Sequence, residues 1–237
     1  MSYRERPAPP ALRDLAECVW VTDRAGPARI LPDGCMDLIE IDDAIVVAGP
    51  DTTAFVSHHT SRIATGIRFR PGALPRLLGV PASEFRGERV PLASVRPDAA
   101  GASLRTVVTH LLRTEATRTT APWTVDQLTH VTTRFAASAS VRSVADELGC
   151  SARNLQRHSV AAYGYGPALL RRILRFRRAV HLLRGGMSAA DTAHASGYAD
   201  QPHLHREVRA LAGQSVGQVA SAAYRSTDVP SGSATVA

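Results

Sequence analysis

The 237-residue sequence contains no lysine; all of its fixed positive charge is carried by 28 arginines. A chain without lysine has no Walker phosphate loop. Neither G-x-S-x-G nor H-E-x-x-H occurs, so the common hydrolase and zinc-protease signatures are absent too. Cysteine is scarce: Cys18, Cys35 and Cys150 are widely spaced and odd in number, which does not suit a disulfide framework. No run of about 18 uncharged apolar residues occurs, so no membrane span is expected. The opening MSYRERPAPP lacks the apolar stretch of a secretory signal. The expectation is a soluble, cytoplasmic protein, and 44% hydrophobic residues suffice for a core.

What is present is unevenly distributed. Residues 1–138 carry 16 arginines against 15 acids, and residues 139–237 carry 12 against 6, within an overall charge of +7. Genomic base composition can explain arginine in place of lysine, but not this asymmetry. A polyanion is the natural partner of the second part.

The first part reads as short strands. ECVWVT (17–22), MDLIEI (36–41), AIVVAG (44–49) and RIATGIRFR (62–70) are rich in Val, Ile and Phe and are separated by Asp, Gly and Pro. Longer helices are expected over Ala99–Thr117 and Pro122–Ser138, and AASAS (136–140) is the expected joint.

Beyond it lies an internal repeat. SVADELGCSARNLQRH (143–158) aligns with DTAHASGYADQPHLHRE (191–207), matching Ala145 with Ala193, Gly149 with Gly197, Ser151 with Asp200 and Arg157 with Arg206. Each copy has a short helix with a small residue midway, a glycine at a left-handed helix end, an N-cap and a second helix. This is the helix-turn-helix pattern, made twice. Between the copies, GPALLRRILRFRRAVHLLRGG (166–186) is apolar on more than one side, as suits a central helix. Arg171, Arg172, Arg175 and Arg178 take the remaining angle, as a phosphate-facing edge.

In the second copy Leu204, Val208 and Leu211 form a buried stripe, with His203 and Arg206 beside it near the helix start. His203 and His205 lie about 200° apart around a helix, so they cannot share a metal there.

VADELGCSARNLQR, GYGPALLRRILRFRRAVHLLR and ASGYADQPHLHREVRALAGQSVGQV together resemble the DNA-binding domain of AraC-type transcriptional regulators. The resemblance implies two helix-turn-helix subdomains joined by a long helix, each with a recognition helix in the major groove of double-stranded DNA. RILPDGCMDLIE and GIRFRPGALPRLLGVPASEF resemble an uncharacterised amino-terminal domain found on some of these regulators. That implies sensing of an unidentified small-molecule effector, or formation of a homodimer. By match to the family's motif, the base-reading positions are Pro202, His203 and Arg206, with Arg153, Gln156 and Arg157 in the first copy. Ser151 and Gln201, with helix N-terminal amides, are expected at phosphates. The family's usual core Phe is replaced by Ser159 and Val208, so a looser first subdomain is expected.

The expected fold class is α+β. A small β-rich amino-terminal domain with trailing helices would span 1–138, an all-α domain of two helix-turn-helix subdomains joined by a long helix 139–225, and a disordered tail 226–237. In the first domain, Cys35 in PDGCMD is the candidate sensor thiol. Its neighbours Asp33 and Asp37 oppose thiolate formation, which favours a small buried residue instead. A zinc site of Cys35 with His58 and His59 is disfavoured, because adjacent strand residues point to opposite faces. No catalytic residue, metal or cofactor is therefore assigned. The leading reading is a sequence-specific regulator. The alternative is a DNA-binding domain fused to a Cys35-dependent thiol or alkyl-transfer activity.

Overall fold

The computed structural model describes residues 3–23, 27–58, 63–113 and 120–221. The expected tail, the carboxy-terminal edge of the second domain beyond Ser221, His59 and the stretch 114–119 lie outside the described residues.

Six strands form an antiparallel sheet: β1 (Tyr3–Pro7), β2 (Ala16–Thr22), β4 (Met36–Ile41), β5 (Ala44–Ala48), β7 (Ala64–Phe69) and β8 (Arg89–Pro91), ordered β1-β2-β7-β4-β5-β8. A separate two-stranded ribbon pairs β3 (Ala28–Ile30) with β6 (Phe55–Ser57). Alternation along the strands gives the main sheet two buried faces. Met36, Leu38, Ile45, Val47, Ile67 and Phe69 point to one, where they pack with Leu74, Leu77 and Leu78 of α1 (Leu74–Leu78), Leu92 of α2 (Leu92–Val95), and Leu104, Val107, Val108 and Leu111 of α3 (Leu104–Leu111). Trp20, Ile39, Ala48 and Arg68 point to the other, beneath the ribbon. Helix α3 is shorter than expected from Ala99–Thr117. Pro97–Ala99 forms a 3-10 turn, and Ser103 caps a fresh start by accepting from Thr106 N.

The remaining helices are α4 (Val125–Ala136), α5 (Val141–Glu147), α6 (Ala152–Tyr163), α7 (Pro167–Arg184), α8 (Ala189–Ala195), α9 (Gln201–Ala212) and α10 (Val216–Ser221). A Thr124–Gln127 capping box starts α4. Its Leu128, Val131 and Phe135 join Val144, Leu155, Leu170, Ile173 and Leu174 in one cluster, so α4 packs with the helices that follow it. The broad apolar surface of α7 is explained by its position: Leu170, Ile173 and Leu174 serve that cluster, while Phe176, Ala179, Val180 and Leu183 serve a second one with Leu204, Val208 and Leu211.

Ser159 leaves no orphan polar group. It is fully buried and its hydroxyl donates to the Tyr165 carbonyl at 2.8 Å, while Tyr163, Tyr165 and Trp123 supply aromatic volume to the same core. The fold class is α+β, with a β-rich amino-terminal region followed by a helical carboxy-terminal region.

Candidate nucleic-acid interface and ligand cavity

The two helix-turn-helix units are built by the same local devices. Gly149 (φ +61°) and Gly197 (φ +71°) end α5 and α8 in the left-handed region that favours glycine. Ser151 accepts from Asn154 N at 3.2 Å to start α6, and Asp200 accepts from His203 N at 2.6 Å to start α9. With Leu155 and Ser159 turned inward, α6 leaves Arg153, Gln156 and Arg157 exposed; with Leu204 and Val208 turned inward, α9 leaves Gln201, Pro202 and Arg206 exposed. Among the described residues neither Arg153 nor Arg206 makes an ion pair or hydrogen bond, and Arg157 touches only Asn154 Oδ1, at 3.2 Å. His203 is half-buried instead, edge-on to Tyr198, with Nδ1 accepting from Ala199 N at 3.4 Å.

The four arginines expected on one edge of α7 divide. Arg172 makes a bidentate pair with Glu207 of α9 at 2.8 and 3.0 Å. Arg175 lies 3.9 Å from the same carboxylate and stacks over Tyr198 at 4.4 Å. Both link α7 to α9; the Arg175 side chain is largely buried, whereas that of Arg172 remains 39% exposed. Arg171 reaches the Ala139 carbonyl at 3.5 Å, and Arg178 is exposed.

The most enclosed α7 arginine is Arg177, which is not among the four expected from sequence. It pairs with both oxygens of Glu17 at 2.7 and 2.8 Å, and approaches Asp33 O at 3.4 Å and Cys35 Sγ at 3.6 Å. A signal was present: Arg177 follows Leu170 and Ile173 at i+7 and i+4, within the buried stripe. A second junction lies at the carboxy-terminal end of α9, where Arg29 and the Ala54 amide donate to the Ala212 and Leu211 carbonyls at 3.2 and 2.7 Å. These carbonyls have no partner within the helix. Leu31 enters the core of the second helix-turn-helix unit.

Between the main sheet and the ribbon is a cavity of about 220 Å³. Its walls include Tyr3, Trp20, Ile39 and Ile41 on one side and Ile30 and Phe55 on the other. Gly66 is required here, because a Cβ would collide with the Trp20 ring. The charged groups among the described lining residues are Arg68, Asp33, Asp37, Asp51 and Arg89. Arg68 is 3% exposed; its Nη1 bonds Glu5 at 3.2 Å, and its Nε lies 3.7 Å from Asp33 and 3.6 Å from Asp37.

A helix-turn-helix domain family matches residues 144–222, and a domain of unknown function (DUF6597) matches residues 4–91. Residues 144–222 are an AraC-type helix-turn-helix domain. No curated protein matches the chain in sequence. Solved structures similar to it include ToxT from Vibrio cholerae, 10% identical over 92% of this chain and 98% of that one, with a TM-score of 0.45. Another is wild-type ToxT from Vibrio cholerae strain SCE256 bound to an unsaturated fatty acid, 8% identical over 93% of this chain and 95% of that one, also at 0.45.

The AraC-type domain thus meets the amino-terminal region at two places that border the cavity: Arg177 of α7 at Asp33 and Cys35, and the end of α9 at the ribbon. Cys35 is buried. Burial first, then Asp33 and Glu17, push its thiol well above the usual range, against the pull of Arg177 and Arg68. That environment keeps the thiol protonated. Among the described residues no three His, Cys, Asp or Glu side chains are grouped to hold a metal, and no helix is long and apolar enough to cross a membrane.

Asp37 accepts from Trp20 Nε1 at 2.9 Å, yet its carboxyl is raised to about 6, chiefly by burial, which outweighs Arg68. A carboxyl raised in the folded state costs stability. The cost grows as pH rises from about 4 towards 6 and is complete above 6. Asp37→Asn keeps an acceptor for Trp20 and is expected to stabilise the protein at pH 7.5 by about 1–3 kcal/mol. Melting temperatures at pH 7.5 and pH 4 check this: a gain at the higher pH alone is predicted, and an equal gain at both would contradict the role of charge.

Proposed function

We propose that the protein is a sequence-specific DNA-binding transcription regulator in which α6 and α9 enter successive major grooves of double-stranded DNA. The observation that carries this reading is the duplicated unit itself, with Arg157 and Arg206 exposed at equivalent positions on two N-capped helices. Arginine pairs with guanine O6 and N7, and glutamine with adenine N6 and N7. Arg153, Gln156, Arg157 and Arg206 are the principal base readers. Pro202 shapes the start of α9, and His203 is a lesser reader because Tyr198 and Ala199 hold its ring. Ser151, Gln201, Arg171 and Arg178 face phosphates, whereas Arg172 and Arg175 serve the α7–α9 junction.

The amino-terminal region is the sensor, and its cavity takes a small-molecule effector. Support comes from the two junctions. A ligand wedged between the sheet and the ribbon strains the ribbon's hold on α9 and the Asp33–Cys35 hold on α7. No catalysis is assigned, since Cys35 is a buried thiol. In this reading the DNA-binding domain starts near Pro122, ahead of the joint expected at 136–140; support comes from Trp123, Leu128, Val131 and Phe135, which share a core with the helices that follow.

Selection of bound duplexes from randomised DNA tests the reading. Two short conserved elements with centres about one helical turn, roughly 34 Å, apart are expected. Bound duplexes without any shared sequence would count against it.

A further inference from the structure

We propose that the cavity binds a small organic cation, an ammonium group on an aromatic body, with Asp33 and Asp37 receiving the head and Trp20, Tyr3 and Phe55 the body. The proposal rests on the reading of the amino-terminal region as a sensor and adds the chemistry of its ligand.

Charge balance sets the sign of the ligand. Among the described residues that line the cavity, the carboxylates of Asp33 and Asp37 share the one Arg68 guanidinium, at 3.7 and 3.6 Å. Arg89 does not offset the excess, because its guanidinium is committed to Asp51 at 2.7 and 3.0 Å. Buried charge without a matching partner is costly, so an enclosed site with an acidic excess favours a cation and opposes an anion.

Hydrogen bonding points the same way. Asp33 Oδ1 accepts from Cys35 N at 2.8 Å, and Asp37 Oδ2 from Trp20 Nε1 at 2.9 Å. The other oxygen of each faces Arg68 at 3.7 and 3.6 Å, too far for a hydrogen bond. Each carboxylate therefore keeps an acceptor lone pair for an N–H donor. The raised Asp37 carboxyl agrees with this shortage of compensation.

The wall suits an aromatic cation. Arg89 already stacks its guanidinium over Phe55 at 4.0 Å within the same cavity, so the site stabilises cations on aromatic faces. Beneath Asp33 and Cys35, the Tyr165 hydroxyl of the helical region has no hydrogen-bond partner among the described residues, on a side chain that is 1% exposed. It stands with Arg177 behind the turn that the ligand's head would engage.

The test uses the full-length protein and three probes with one body: phenethylamine, 2-phenylethanol and 3-phenylpropionate, compared by calorimetry at pH 8. Phenethylamine is expected to bind at least about tenfold more tightly than the alcohol, and the carboxylate most weakly, the ranking imposed by two carboxylates that share one guanidinium. Asp33→Asn and Asp37→Asn should each erase most of the amine's advantage and leave the alcohol unchanged. Equal or better binding of the carboxylate, binding of none of the three, or a preference that survives both substitutions would overturn the cation assignment. The same titrations repeated on DNA-bound protein separate this from the sensor reading. If the alcohol or carboxylate binds and alters DNA affinity, the sensor stands and the cation falls. If the amine binds without altering DNA affinity, the cation site stands and the sensor reading falls.

Discussion

Replacing Arg177 with Met is expected to lower stability by about 3–5 kcal/mol, because the Glu17 carboxylate is then buried without its partner. For a chain of this length that corresponds to a fall in melting temperature of roughly 6–20 °C. The side chains of Arg177 and Glu17 are 14% and 10% exposed, so solvent does little to screen the loss. The double change Glu17→Gln with Arg177→Met should recover most of it, since removing both charges leaves nothing to solvate. Thermal unfolding of the two variants decides the matter: an Arg177→Met single variant as stable as the parent would mean that the junction carries little energy.

The second large effect is on DNA. Arg157→Ala and Arg206→Ala should each weaken binding to the selected site by about 1–3 kcal/mol, roughly fivefold to 150-fold. The two residues lie on different helix-turn-helix units, so the double variant should show the near-sum of the single losses. His203→Ala should cost less, because its ring is held by Tyr198 and Ala199 in the free protein. Equilibrium binding of each variant to the selected duplex provides the check. Unchanged specific affinity in both arginine variants would sink the assignment of α6 and α9 as readers.

The carboxy-terminal half was legible in sequence because its determinants are local. Glycine at a left-handed helix end, Ser151 and Asp200 as caps, and leucines at helical spacing act within a few residues of one another. The strands β2, β4, β5 and β7 were legible for the same reason. The short pieces β1, β3, β6 and β8 were not, since each is fixed by the strand it pairs with and three of them are three residues long. Arg68 shows the limit for the site: one arginine in RIATGIRFR acquires its meaning only when Glu5, Asp33 and Asp37 converge on it. Likewise, Arg172 and Arg175 resemble Arg178 in sequence, and only Glu207 and Tyr198, some thirty residues on, give them different partners. Ser159 looked like a missing aromatic, and the structure supplies that volume from Tyr163, Tyr165 and Trp123.

Sequence-specific recognition of DNA by the duplicated unit is the central claim. Its most direct test compares affinity for the selected duplex with affinity for random duplex of equal length at one salt concentration, because phosphate contacts contribute equally to both. A ratio of about a thousandfold or more is predicted. Equal affinity for the two duplexes would contradict it.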